Sequence, residues 1–237
     1  MAPECDLSVV VPAYQEEENL SLLLPRLTRT LDALAVRWEA IVVDAMRPID
    51  NTAEVCARNG CTCIAREGGN AFGDAVRTGI RKSRGERVIF MDADGSHAPE
   101  FIEELWRHRG DADVVIASRY APGGVTENNW SLVLMSRLLN QSYSWILGLK
   151  CADVSNSFKL YPGGALRRLE LVCDHFDIVE EMLCRLVHGR PPATCKEIPA
   201  TFKNRMFGES KRNLVVFIAS YIYTVVRLRC MLGHRRH

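Results

Sequence analysis

Short apolar runs alternate with helix-spaced segments through the first half of the chain. Residues 7–11 (LSVVV) are an apolar run closed by Pro12. Over residues 16–35, Leu20, Leu23, Leu24, Leu27, Leu31 and Leu34 recur at helical spacing, which predicts an amphipathic helix with a core-facing leucine stripe. Residues 38–43 (WEAIVV) read as a second strand ending at Asp44, 52–59 as a helix and 61–65 as a short strand. Residues 71–83 read as a helix, 87–91 as a fourth strand, 99–108 as a helix opened by Pro99, and 113–117 (DVVIA) as a fifth strand. Continuous apolar strands that alternate with helices predict a parallel sheet covered on both faces. Sheets of this kind bind ligands beyond the carboxyl ends of their strands. The polar clusters at 14–18, 44–50 and 92–97 all fall at such ends.

After Tyr120 the pattern changes. Gly123-Gly124 marks a loop, and residues 130–148 are helical and mostly apolar. Residues 156–161 (NSFKLY) and 197–202 (EIPATF) read as short strands, and 176–188 as an amphipathic helix. No internal repeat, low-complexity tract or linker interrupts the chain.

Composition narrows the classes. The 237 residues suit one domain with a C-terminal extension and a core that needs no staples. A net charge of +1 gives no case for nucleic acid as a partner. Nine cysteines, of which only Cys56, Cys61 and Cys63 cluster, lack zinc-ribbon spacing and read as reduced core residues of a cytoplasmic protein. Residues 1–6 lack the apolar core of a secretory signal. The stretch 214–226 is short for a bilayer crossing, and the arginines after it give the mark of a membrane surface.

The stretch most charged with chemistry is VIFMDADGSH (88–97). An apolar strand ends in Asp92-Ala93-Asp94, and a bend at Gly95 lets both carboxylates reach one hard cation. Oxygen ligands of this type suit Mg²⁺ or Mn²⁺, ions that usually hold phosphates as well. On its own such a pair is more often a solvated turn.

Its surroundings change that weighing. VVVPAYQEEENL (9–20), GNAFGDAVRTGI (69–80), VIFMDADGSHAPEFI (88–102), DVVIASRYAPGGV (113–125), SNSFKLY (155–161) and EIPATFKNRMFGESK (197–211) stand in one order along the chain. In that order they resemble the family 2 glycosyltransferases of the GT-A fold, and within them the dolichyl- or polyprenyl-phosphate mannose synthases. The resemblance implies an α/β, Rossmann-like GT-A catalytic domain over residues 1–211. Its mostly parallel central sheet is flanked by helices, and an apolar helix follows at 212–237.

The resemblance also implies roles. Pro12, Tyr14 and Glu16 match the loop that holds the base and ribose of a nucleotide-sugar donor, with Val43 and Asp44 at the next nucleotide-contacting turn. Asp92, Ala93 and Asp94 match the diphosphate–metal site, with Ser96 as a further metal-side ligand. Arg119 matches the arginine near the acceptor phosphate. Arg205 and Lys211 match a mobile basic loop, hinged at Gly208, that closes over the diphosphate. Asp94, Arg119, Arg205 and Lys211 are thus the expected catalytic set. Relatives carry spanning helices or borrow a membrane partner. The expectation here is docking to the cytosolic face of a membrane, directly or through a small anchoring subunit.

Two departures stand out. Asp44 lacks the second aspartate that usually follows it, and Ala45-Met46-Arg47-Pro48 comes instead. Residues 131–135 are uncharged where relatives carry basic residues, so Arg137 is the expected substitute. The first departure leaves GDP-mannose and UDP-glucose open as donors, and a non-catalytic nucleotide-sugar-binding subunit is a rival of another class.

The chemistry follows from charge. A divalent ion on Asp92 and Asp94, with Arg205 and Lys211, neutralises the departing diphosphate. A polyprenyl phosphate is already an anion and attacks the anomeric carbon without a strong base, in one inverting displacement. Several residues keep two readings. His97 is a metal neighbour or a hydrogen-bonded turn residue before Pro99. Glu180 and Glu181 are a catalytic carboxylate or a solvated helix face. Lys159 contacts phosphate or is an exposed strand lysine. Gly68, Gly69 and Gly73 serve a tight turn and close packing rather than a phosphate fingerprint.

Overall fold

The structure, a computed structural model, describes residues 4–127, 129–203 and 214–234. Arg205, Gly208 and Lys211 lie outside the described residues. Five parallel or near-central strands come first in the chain: β1 Cys5–Pro12, β2 Trp38–Asp44, β3 Thr62–Ala65, β4 Gly85–Phe90 and β5 Val114–Ser118. Helices α1 Glu17–Ala33, α2 Thr52–Arg58, α3 Phe72–Lys82 and α4 Ile102–Arg107 alternate with them, α4 being entered by a 3-10 turn at Pro99–Phe101. The second half adds β6 Val125–Thr126, α5 Trp130–Leu147, β7 Lys159–Pro162, α6 Gly163–Leu166, α7 Ile178–Val187, β8 Cys195–Pro199, β9 Thr201–Phe202 and α8 Leu214–His234.

The main sheet has seven strands in the order β3-β2-β1-β4-β7-β5-β8. All neighbouring pairs are parallel except those of β7, which runs antiparallel to β4 and β5. A second, two-stranded sheet pairs β6 with β9. The β1 run shows why these strands are apolar throughout. Val10 joins the core on one face of the sheet, while Val9 and Val11 join the core on the other. Both faces are covered, so alternation of apolar and polar residues is lost.

On one face, α1 buries Leu20, Leu23, Leu24, Leu27 and Leu31, all fully shielded from solvent. Each such side chain contributes about 1.5–3 kcal/mol of transfer free energy. Leu34, the last of the predicted stripe, caps the helix and is only half-buried. On the other face, α3 packs against β1 and β2, with Gly79 set so close to Val10 that no larger residue fits. Val225 and Leu228 of α8 join this second core, alongside Tyr143 and Leu147 of α5.

The antiparallel β7 matters for function. Its first residue, Lys159, pairs with Phe90 of β4 and Ile116 of β5. The segment leading into β7 therefore arrives at the carboxyl ends of β4 and β5, beside Asp92 and Arg119.

Candidate active site

A cavity of about 390 Å³ opens at the carboxyl ends of β1 and β4. Pro12, Tyr14 and Glu16 line it from the β1 side, and Asp92, Ala93 and Asp94 from the β4 side. Six of the residues named by sequence thus meet in one place. The turn after β4 has the predicted bend, with Gly95 at a φ of 77° that favours glycine. Asp94 Oδ1 accepts the Ser96 amide at 3.0 Å, and Asp92 Oδ1 accepts the Ser157 hydroxyl at 2.9 Å. Ser96 is fully buried, and its Oγ has no hydrogen-bond partner among the described residues.

No three His, Cys, Asp or Glu side chains gather as a metal-ligand set among the described residues. The chain itself supplies two carboxylates and an orphaned hydroxyl, an oxygen-only set with room for phosphate oxygens. Such a partial set fits Mg²⁺ or Mn²⁺, which keep ligand positions for substrate phosphates and water.

His97 sits against this turn as a structural residue. It is fully buried; its Nδ1 accepts the Asp92 amide at 3.1 Å, and its Nε2 lies 3.0 Å from Asn156 Oδ1. Nδ1 is therefore the unprotonated nitrogen and Nε2 the donor. Burial pushes the imidazole below its ordinary pKa, so it stays neutral. Its ring stacks on Phe158 at 4.7 Å between centroids.

At the β2 end, Asp44 is buried and its Oδ1 has no hydrogen-bond partner among the described residues. Desolvation raises its carboxyl above the ordinary aspartate value. Val43 is also buried, but its side chain belongs to the core, so only its backbone borders the turn. Its carbonyl accepts the Ala13 amide at 2.9 Å, which ties the β1 and β2 ends together.

The sequence reading missed Arg66, Asn70, Phe72 and Phe176, all of which line the cavity. Arg66 is buried and staples three loops. Its Nε donates to Asp44 O at 3.0 Å, its Nη1 to Asn70 O and Ala71 O at 3.0 and 3.1 Å, and its Nη2 to Ala13 O. A signal for Arg66 existed: it directly follows β3, at the same carboxyl edge as the other clusters. Phe176 carries no such signal, because its ring reaches Phe72 (centroids 4.2 Å apart) from far along the chain.

Arg119 lines a second cavity of about 440 Å³, together with Gly124, Val125, Thr126, Trp130, Val133, Leu134 and Arg137. Its guanidinium is bound by the fully buried Asp153, Nε to Oδ2 at 2.9 Å and Nη2 to Oδ1 at 2.6 Å. Burial pulls the Arg119 pKa down, but the Asp153 hydrogen bonds outweigh it and hold the group above its ordinary value. Arg137 and Arg119 both lie over the ring of Tyr120, at 5.4 and 5.0 Å. An arginine pair beside apolar side chains makes this cavity suited to an anion on a hydrocarbon.

Other double readings resolve structurally. Lys159 is neither exposed nor in a cavity: it is fully buried, donates from Nζ to Val154 O at 3.0 Å and to Asn156 O, and is pushed below its ordinary pKa by burial. Glu180 and Glu181 are not a solvated face, since both are buried. Glu181 is ion-paired with Arg185 at 2.7 Å and accepts the amides of Val172 and Cys173. Gly73 serves close packing, because a Cβ there would collide with Cys173 O and meet Asp174 Cα at 2.7 Å. The described cysteines are all free, and Cys56 and Cys61 are buried in the core.

Comparison with known proteins places the chain in a family and its fold among solved structures. The sequence profile of Glycosyl transferase family 2 matches residues 8–170. Dolichol-phosphate mannosyltransferase of Saccharomyces cerevisiae is 29% identical over 225 residues, spanning 90% of this chain and 83% of that protein. Dolichol-phosphate mannosyltransferase of Pyrococcus furiosus is 31% identical over 216 residues, spanning 86% of this chain and 58% of that longer protein. Among solved structures, glucosyl-3-phosphoglycerate synthase of Mycobacterium tuberculosis with Mn²⁺, UDP and phosphoglyceric acid superposes with a TM-score of 0.70 at 18% identity, covering 95% of this chain and 79% of its own. The same enzyme with Mg²⁺ and UDP gives 0.69, again at 18% identity, over 96% of this chain and 80% of its own. With the profile spanning most of the chain and the carboxylate turn at the end of β4, this protein belongs to glycosyl transferase family 2.

Proposed function

We propose that this enzyme transfers mannose from GDP-mannose to a dolichyl or polyprenyl phosphate, with inversion at the anomeric carbon. The observation that carries this reading is the pairing of two cavities. One has the Asp92–Asp94 turn and suits a nucleotide diphosphate; the other sets Arg119 and Arg137 among Trp130, Val133 and Leu134 and suits a lipid phosphate. The relatives named dolichol-phosphate mannosyltransferase support the choice of substrates.

The chain's own residues divide the work. Tyr14, Glu16 and the buried, unpartnered Oδ1 of Asp44 hold the base and ribose. Asp92, Asp94 and the orphaned Ser96 hydroxyl would hold Mg²⁺ or Mn²⁺, which when bound would supply positive charge to the diphosphate leaving group. Arg119, helped by Arg137, orients the acceptor phosphate for in-line attack, so positioning replaces base catalysis. Arg205 and Lys211 are proposed to close over the diphosphate.

The proposal extends to the membrane. No helix of the described residues is long and apolar enough to cross a bilayer. Helix α5 buries only Asn140, Tyr143 and Leu147, and exposes Trp130, Leu132, Leu134, Leu138 and Trp145. Helix α8 exposes Ile222, Tyr223 and Val226. These faces fit peripheral docking at the cytosolic side of a membrane or against a small anchoring subunit.

One observation favours a second donor. The turn after Asp44 lacks a second carboxylate and is tied off by Met46 N donating to Asn70 Oδ1 at 3.0 Å, which leaves UDP-glucose as the rival. The deciding assay feeds radiolabelled GDP-mannose and UDP-glucose in parallel to the enzyme with polyprenyl phosphate and Mg²⁺ or Mn²⁺. Metal-dependent label from GDP-mannose in a chloroform-soluble product is the expected result. Label from UDP-glucose alone overturns the sugar, and no lipid product from either overturns the acceptor.

A further inference from the structure

The segment between α5 and β7, residues 152–157, touches both cavities' key side chains, and its conformation is fixed from three sides. The carboxylate of Glu197 accepts the amides of Ala152 and Asp153 at 2.8 and 2.9 Å. Buried Lys159 donates to the carbonyls of Val154 and Asn156. Asn140, from the buried side of α5, accepts the Ser155 amide at 2.9 Å and donates to its hydroxyl at 3.1 Å. A buried lysine amine and a part-buried carboxylate committed to backbone groups are costly unless the conformation they hold is needed.

What this strap delivers is a set of side chains to two sites. Asp153 grips Arg119 through its guanidinium and its amide, and Ser155 Oγ accepts from Arg119 Nη2 at 3.1 Å. Asn156 meets His97, the residue that holds the Asp92 amide, and donates to Ala117 O. Ser157 donates to Asp92 Oδ1 at 2.9 Å, which fixes the rotation of that carboxylate.

We propose that the strap sets the register between donor and acceptor, with Ser157 positioning the Asp92 carboxylate toward the metal–diphosphate and Asp153 positioning Arg119 toward the acceptor phosphate. The proposal rests on Asp92 as a metal-side ligand. The strap's two working side chains, Asp153 and Ser157, stand four positions apart, so any shift of the strap moves both sites together. Partners that orient a metal-binding carboxylate are typically worth about 10–100-fold in metal affinity.

The test uses the full chain and titrates Mn²⁺ with GDP, and with UDP in parallel, by calorimetry and by Mn²⁺ electron paramagnetic resonance. Ser157→Ala is expected to weaken Mn²⁺-dependent nucleotide binding about tenfold at an unchanged fold, and Ser157→Thr, which keeps the hydroxyl, to restore it. Asp153→Asn is expected to leave Mn²⁺–nucleotide binding intact and to raise the KM for farnesyl phosphate about tenfold, the loss of one charge-assisted contact. Asp92→Asn separates the two levels of the argument. If it loses metal-dependent binding while Ser157→Ala keeps it, the positioning role is overturned and the site stands. If Asp92→Asn also keeps it, the metal assignment falls and the proposal with it. Because Asp153 is buried, a failure of that variant to fold leaves the Ser157 pair to decide.

Discussion

The guanidinium carbon of Arg66 lies 5.5 Å from the centre of the Tyr14 ring, so one buried cation braces the aromatic side chain that borders the Asp92–Asp94 cavity. The same group ties the ends of β1 and β2 to the loop before α3 through carbonyl oxygens. Arg66→Ala is expected to weaken nucleotide binding by at least about tenfold and to cost about 3 kcal/mol of stability, because it leaves several buried carbonyls unpaired. Arg66→Lys should not restore binding, since a point charge does not reproduce the planar fork. Nucleotide-dependent thermal shifts read both effects; a parent-like shift in Arg66→Ala would remove the residue from the donor site.

Asp94 tests the role of the carboxylate turn in the reaction. Its Oδ1 is held by the Ser96 amide, so Asp94→Asn keeps the shape of the turn and removes the charge. Turnover is expected to fall at least about 100-fold, the scale of losing one electrostatic contact to a developing charge. Single-turnover transfer from the labelled donor is the measurement, and undiminished turnover would take Asp94 out of the mechanism.

His97 predicts a pH dependence of stability. Its folded pKa is depressed by burial, whereas in the unfolded chain it titrates near about 6.5. The unfolded state then binds the extra proton. Stability is fully present above the unfolded pKa and is lost as pH falls below it toward the lower folded value. The melting temperature is expected to drop from pH 7 to pH 5, and His97→Gln to flatten that slope. An identical slope in the variant would assign the loss to other groups.

The apolar faces of α5 and α8 predict vesicle binding. Trp145 is 86% exposed and Trp130 76%, and with Leu132, Leu134 and Leu138 they leave α5 with a large apolar surface open to solvent. The double substitution Trp130→Ser, Trp145→Ser is expected to abolish flotation with anionic liposomes while leaving Mn²⁺–nucleotide binding unchanged for Trp145→Ser alone. If the parent chain fails to float in the absence of any other protein, the anchoring-subunit reading replaces direct docking.

Much of this fold is readable from residue pattern. The β1, β2, β4 and β5 runs are apolar because both sheet faces are buried, and α1 carries a helical stripe, whereas α7, read as amphipathic, is buried on nearly every face. The Asp92–Asp94 turn is equally local: an apolar strand, two carboxylates and a glycine with positive φ lie within a few residues. Lys159, Glu180 and Glu181 misled because charge normally implies solvent. The burial of Lys159 and Glu181 depends on carbonyl and amide partners contributed by the folded backbone, which composition does not reveal.

The sequence alone determined the α/β class, the carboxyl-edge location of the Asp92–Asp94 turn and the family, since each rests on short-range pattern or on motif order. Tertiary structure alone decided that β7 runs antiparallel, that Arg66 lines the Asp92–Asp94 cavity and that Asp153 holds Arg119. The physical reason is separation along the chain: Ser157 and Asp92 are 65 residues apart, and only the packed sheet brings hydroxyl and carboxylate within hydrogen-bonding reach.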